Sequence, residues 1–71
     1  MSVNTAQIVV NGQKREIKLP CALTGLLAEA GWKPTQVVVE RNGRVVPRAE
    51  AGSVSLSDGD QLEIILPVAG G

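Results

Sequence analysis

Gln7-Ile8-Val9-Val10-Asn11-Gly12, continued by Gln13-Lys14-Arg15-Glu16-Ile17-Lys18-Leu19-Pro20, is the stretch from which the fold is read. Its β-branched opening runs into Asn-Gly, the dipeptide best suited to the two consecutive positive φ angles of a type I′ turn. Beyond the turn, Arg15, Ile17 and Leu19 alternate with Glu16 and Lys18, the period of a half-solvated strand. Pro20 lacks a ladder donor and ends it. A hairpin is predicted, with its second strand over residues 14–19.

Working outward, Leu23, Leu26, Leu27 and Ala30 fall at i, i+3, i+4 and i+7, one face of a short helix, with Gly31 at the expected C-terminal cap. Gly25 weakens that helix by roughly 1 kcal/mol relative to Ala, so it depends on packing its leucine face against a sheet. Cys21 and Ala22 occupy the place where a Ser, Thr or Asp cap is expected, which leaves the helix start weakly marked.

After Trp32-Lys33-Pro34-Thr35-Gln36 comes Val37-Val38-Val39-Glu40-Arg41, a strand closed by a second Asn-Gly pair at Asn42-Gly43. Arg44-Val45-Val46 pairs back until Pro47, the polar stretch through Ser53 reads as a surface crossover, and a short strand fits residues 54–56. Ser57-Asp58-Gly59-Asp60 is a turn that launches Gln61-Leu62-Glu63-Ile64-Ile65-Leu66. Alternation assigns Leu62, Ile64 and Leu66 to the core and points Ile65 away. The order β, β, α, β, short β, β assembles into one α+β domain: a mixed sheet with one helix packed on one face and the last strand parallel to the first in the middle, a β-grasp. The expected domain spans residues 1–67, and 68–71 form a mobile tail without a large anchor.

Composition narrows the function. Seventy-one residues suit a single small core. Seven Lys and Arg balance seven Asp and Glu, so the basic excess usual in nucleic-acid binders is missing. The single cysteine, Cys21, forms no internal disulfide and fits a reducing compartment. The N-terminus reads as neither signal peptide nor membrane span, which makes a cytoplasmic location the expectation. The absence of His removes the usual general base near neutral pH and the commonest metal ligand, so self-contained catalysis is not expected. Asp58 and Asp60 lack the other ligands of a calcium loop and read as turn residues. Cys21 reads as packing and Trp32 as cover for the core edge. Arg41, Arg44 and Arg48 form either a solvated rim or a docking site for an acidic partner surface.

The ordered set of the opening strand into Asn11-Gly12, Leu26-Leu27, Val38-Val39-Glu40-Arg41-Asn42-Gly43, Val46-Pro47-Arg48, Asp58-Gly59-Asp60 and terminal Gly70-Gly71 resembles the ubiquitin-like sulfur carriers of the ThiS family. Two positions depart from that pattern: Ala22 stands where the family often has Thr or Ser, and Ala49-Glu50-Ala51 where it often has an aromatic residue. The resemblance implies a ubiquitin-like β-grasp and a protein cosubstrate with no bound cofactor. In that reading a ThiF-like adenylyltransferase uses ATP to activate the Gly71 carboxylate, a sulfur donor system converts it to a thiocarboxylate, and a ThiG-like thiazole synthase receives the sulfur. Gly70 and Gly71, without Cβ atoms, suit passage through a narrow channel. No nucleic acid or membrane takes part. An apolar sheet face opposite the helix is expected to meet partners through Val39 and Ile65, with Arg41 or Arg48 at its rim. A MoaD-like carrier for molybdopterin synthesis, a protein modifier joined through Gly71 and an inert β-grasp interaction module stay open as alternatives.

Overall fold

The computed structural model describes residues 4–67. In chain order it contains β1 (Thr5–Val10), β2 (Gln13–Lys18), α1 (Leu23–Glu29), β3 (Val38–Arg41), β4 (Arg44–Val45), a 3-10 helix (Arg48–Ser53) and β5 (Gln61–Ile65). The sheet order is β2-β1-β5-β3-β4. β1 and β5 run parallel at the centre, and every other pairing is antiparallel. This is the expected β-grasp.

Both hairpins turn on Asn-Gly, with φ of 50° and 83° at Asn11 and Gly12 and 52° and 83° at Asn42 and Gly43. Positive φ at both central residues matches the twist of the flanking strands. β2 begins one residue earlier than the alternation suggested, because the two-residue turn pairs Val10 directly with Gln13.

α1 packs Leu23, Leu26 and Leu27 into a core shared with Ala6, Ile8, Ile17, Val37, Val39, Ala51, Leu56, Leu62 and Ile64. Its C-terminus closes in a Schellman motif. The N–H of Trp32 reaches the Leu27 carbonyl at 2.9 Å and that of Gly31 the Ala28 carbonyl at 3.0 Å, with Gly31 at φ 84°. Trp32 packs against the core beside it. Ala30, expected on the apolar face, is exposed, since the helix ends at Glu29 before the next turn carries that face inward.

No side chain caps the start of α1 at Ala22. Tertiary backbone bonds replace the cap: the Leu23 N–H donates to the Val54 carbonyl at 3.0 Å, and the Leu56 N–H donates to the Cys21 carbonyl at 2.8 Å. These flank an isolated antiparallel bridge between Ala22 and Ser55, which stands where a short strand over 54–56 was expected. One orphan donor of the first turn is satisfied in this way.

Two assignments need correction. Leu66 is 55% exposed instead of buried, because β5 ends at Ile65 and the chain leaves the sheet before the alternation reaches it. Val39, expected on the exposed face, is buried. Its register partner is Ile64, a core residue, and directly opposed residues share a face. Val38, opposite Ile65, occupies the outer face in its place.

Gly25 lies inside α1, exposed, and a Cβ there would meet nothing within 4 Å. Gly25→Ala is expected to raise the unfolding free energy by about 0.5–1 kcal/mol through helix propensity alone. The check is a higher urea midpoint at unchanged slope; an unaltered or lower midpoint contradicts it.

Candidate functional site

The expected site lies at the C-terminal end of the chain. Gly70 and Gly71 fall outside the described residues, so the geometry concerns the strand that leads to them. β5 is held at both ends by the asparagines of the two Asn-Gly turns. At its far end the Ile64 N–H donates to Asn11 Oδ1 at 2.7 Å, and Asn11 Nδ2 donates to the Ile64 carbonyl at 3.3 Å. One side-chain amide thus satisfies both backbone groups of Ile64, as a neighbouring strand would. At the near end the Gln61 N–H donates to Asn42 Oδ1 at 2.9 Å, and the Asn42 N–H donates to the Gln61 carbonyl at 2.7 Å.

Asn42 Nδ2 also donates to Asp60 Oδ1 at 3.0 Å. Asp60 Oδ2 accepts from the Ser57 N–H at 2.8 Å and from Arg41 Nε at 3.1 Å, with a second Arg41 nitrogen at 3.0 Å. Burial alone pushes the Asp60 carboxyl upward. The Ser57, Asn42 and Arg41 hydrogen bonds, with the guanidinium charge, outweigh it and hold the group below its ordinary value. Asp58, the other turn carboxylate, accepts from the Gln7 N–H at 2.8 Å and fastens the same turn to β1.

The structure separates the expected docking residues. Ile65 is on the outer face, 42% exposed. Arg48 is exposed on the 3-10 helix. Arg41 is on the helix side, spent on Asp60 and on the Ser55 carbonyl at 3.1 Å, so it does not serve as a free rim cation. Val39 belongs to the core. Cys21 is half-buried against that core, at a groove it shares with Ile17, Pro20, Ala22 and Gly25. Among the described residues no three His, Cys, Asp or Glu side chains gather as metal ligands.

In the sequence Asp60 reads as a turn residue and the two asparagines as turn formers alone. The repeated Asn-Gly signal marks the turns. Nothing in it shows that their amides reach β5, up to 53 residues away in the chain.

Comparison with known proteins bears on this strand and its continuation. The model of the ThiS family matches residues 8–71, nearly the whole chain and including Gly70-Gly71. The chain belongs to the ThiS family. The crystal structure of a thiamine biosynthesis protein (ThiS) from Geobacter metallireducens superposes with a TM-score of 0.77 at 28% identity, over 92% of this chain and 99% of that one. A solution structure of a thiamine biosynthesis protein from the same organism gives 0.73 at 28% identity, over 92% and 87%. Thiazole synthases of Paramagnetospirillum magneticum and Magnetococcus marinus are 37% and 38% identical over 65 residues, 92% of this chain. The chain spans only 20% of the length of those synthases.

The Asp60 cluster carries a pH signature. Asp60→Asn is expected to lower stability by about 1–3 kcal/mol near neutral pH, discounted because the Arg41 side chain is 30% exposed and regains water. Because the folded carboxyl titrates below the unfolded one, its contribution is complete above the ordinary carboxylate range and is lost as pH falls through the lowered folded value. Urea melts of both proteins on acidification should show the gap between them closing; a widening gap contradicts the assignment.

Proposed function

We propose that this chain is a sulfur carrier of thiamine biosynthesis, and that the carboxylate of Gly71 is the group that carries the sulfur. The observation that supports it most is the family match extending through Gly70-Gly71, on a fold that leads β5 directly toward them. The chain acts as a cosubstrate for partner enzymes in the cytoplasm. Among the described residues no helix is long and apolar enough to cross a membrane.

A carboxylate is a poor acyl donor because its leaving group would be oxide. A ThiF-like adenylating enzyme supplies a better one: the Gly71 carboxylate attacks the α-phosphorus of ATP, pyrophosphate leaves and an acyl adenylate forms. A sulfide-level nucleophile delivered by the donor system then attacks the acyl carbon and expels AMP, leaving the thiocarboxylate. ATP is consumed at the partner's site. Glycine suits the position, since no Cβ crowds the acyl carbon and two residues without side chains let the backbone approach a nucleotide closely. Thiazole synthase is the proposed acceptor, a reading supported by the likeness of this chain to part of two proteins of that name.

Cys21 is the rival sulfur-bearing atom, by way of a persulfide. Its half-buried place against the core favours packing. The two routes separate on intact mass after incubation with ATP, a competent activating enzyme and a sulfur donor. Cys21→Ser is expected to exchange one carboxylate oxygen for sulfur as the wild type does. Gly71→Trp and a variant lacking Gly70 and Gly71 are expected to stay unloaded while melting close to wild type, since the core residues found among the described ones all lie upstream. An unloaded Cys21→Ser, or a loaded Gly71→Trp, would move the sulfur off Gly71.

A further inference from the structure

Asn11 and Asn42 each do two things. They shape the hairpin turns at positive φ, and their side-chain amides hold β5 at Ile64 and Gln61. The same Asn-Gly sequence is chemically labile, because a following glycine has no Cβ to shield its backbone nitrogen from the asparagine amide carbon. Both asparagines are exposed, and a Cβ at Gly12 or Gly43 would meet nothing within 4 Å, so nothing crowds the attacking nitrogen or keeps water away.

Deamidation needs no reactant besides water. The glycine nitrogen bonds to the asparagine Cγ, the Cγ–Nδ2 bond breaks, and ammonia leaves with the proton that the glycine nitrogen gives up. The five-membered cyclic imide so formed takes up water at one of its two carbonyls and opens to aspartate or to isoaspartate. Because Nδ2 departs, the hydrogen bond it donates is given up on the way, and that bond sets the two turns apart. Asn11 Nδ2 donates at 3.3 Å to the uncharged Ile64 carbonyl. Asn42 Nδ2 donates at 3.0 Å to a carboxylate oxygen of Asp60, which Ser57 and Arg41 hold in place. A bond to an ionised acceptor is the stronger of the two. Attack on Cγ also gathers negative charge on Oδ1, and at Asn42 that charge arises beside the Asp60 carboxylate.

We propose that Asn11 is the deamidation site of the folded protein and that Asp60 shields Asn42 from the same reaction. The product at position 11 is a carboxylate, which has no donor for the Ile64 carbonyl; the isoaspartate form also adds a backbone carbon to a two-residue turn. β5 then loses its hold at Ile64 and keeps the one at Gln61. At position 42 the product would set a second carboxylate against that of Asp60, so the shielded site is the one where modification would harm the fold more. None of this depends on what Gly71 carries.

The test is to age the full chain in mildly alkaline buffer, folded and in concentrated urea, and to follow each Asn-Gly pair by peptide mass mapping. In the folded protein Asn11 is expected to convert at least about fivefold faster than Asn42, the difference that a charge-assisted bond makes. In urea the two rates should agree within about twofold, since the dipeptides are the same and both hydrogen bonds are gone. Asp60→Asn should raise the Asn42 rate toward that of Asn11, with the Asn11 rate of the same variant reporting any general loosening. Hydrogen exchange at the Ile64 amide should be faster in aged than in fresh protein. Equal rates in the folded protein, Asn42 converting first, or folded protein modified at neither site while urea-treated protein is modified at both overturns the proposal. An Asp60→Asn variant that leaves Asn42 as slow as before, or that speeds both sites alike, overturns the shielding by Asp60.

Discussion

The buried carboxylate of Asp60 is the contact on which the rest of the molecule depends. Among the described residues it is the one buried polar or charged side chain, and an unpartnered carboxylate in that position would cost several kcal/mol. The surrounding chain is arranged to supply donors: the Ser57 N–H from its own turn, the Asn42 amide from the second hairpin and the Arg41 guanidinium from the end of β3. Arg41 then donates onward to the Ser55 carbonyl, and Ser55 bridges to Ala22 beside the uncapped start of α1. Turn, sheet and helix are thereby joined through one anion, which links the missing helix cap to a charge some forty residues away.

The consequence for function lies in β5. That strand is central, paired with β1 on one side and β3 on the other, and it leads toward the glycines proposed to react. Asn42 binds its first residue and Asn11 its fourth, each through a side-chain amide that takes over where the backbone ladder stops. The two turns thus fix β5 as far as Ile64. A strand held in this way suits the proposed role of presenting a carboxylate to a partner, because order present before binding lowers the entropy lost on engagement.

The outer face shows how such a surface differs from a core. Its inner counterpart alternates cleanly, with Val39 against Ile64 and both buried, whereas the outer rows set Glu40 against Glu63 and Val38 against Ile65. An opposed acidic pair with Val45 exposed across from Glu40 adds nothing to the stability of the sheet.

The sequence by itself determined the hairpins, the single helix, the parallel central strand and the family. Those depend on local signals, namely Asn-Gly at two turns, leucines at helical spacing, Gly31 at the cap, alternation in β5 and the ordered motifs ending in Gly70-Gly71. Ile65 was legible as outward-facing for the same reason, since period-two alternation within one strand needs no partner. Val39 was not legible: a run of three valines has no internal phase, and only its register against Ile64 selects the buried member. Leu66 was misread because alternation continues in the letters after the ladder has ended. Asp60, Arg41 and the asparagine amides were visible as residues but not as contacts, because their partners lie far away in the chain. Local backbone preference is written in neighbouring residues, whereas burial of a charge and the phase of a strand are set by what packs across from them, and that was decided only by the tertiary structure.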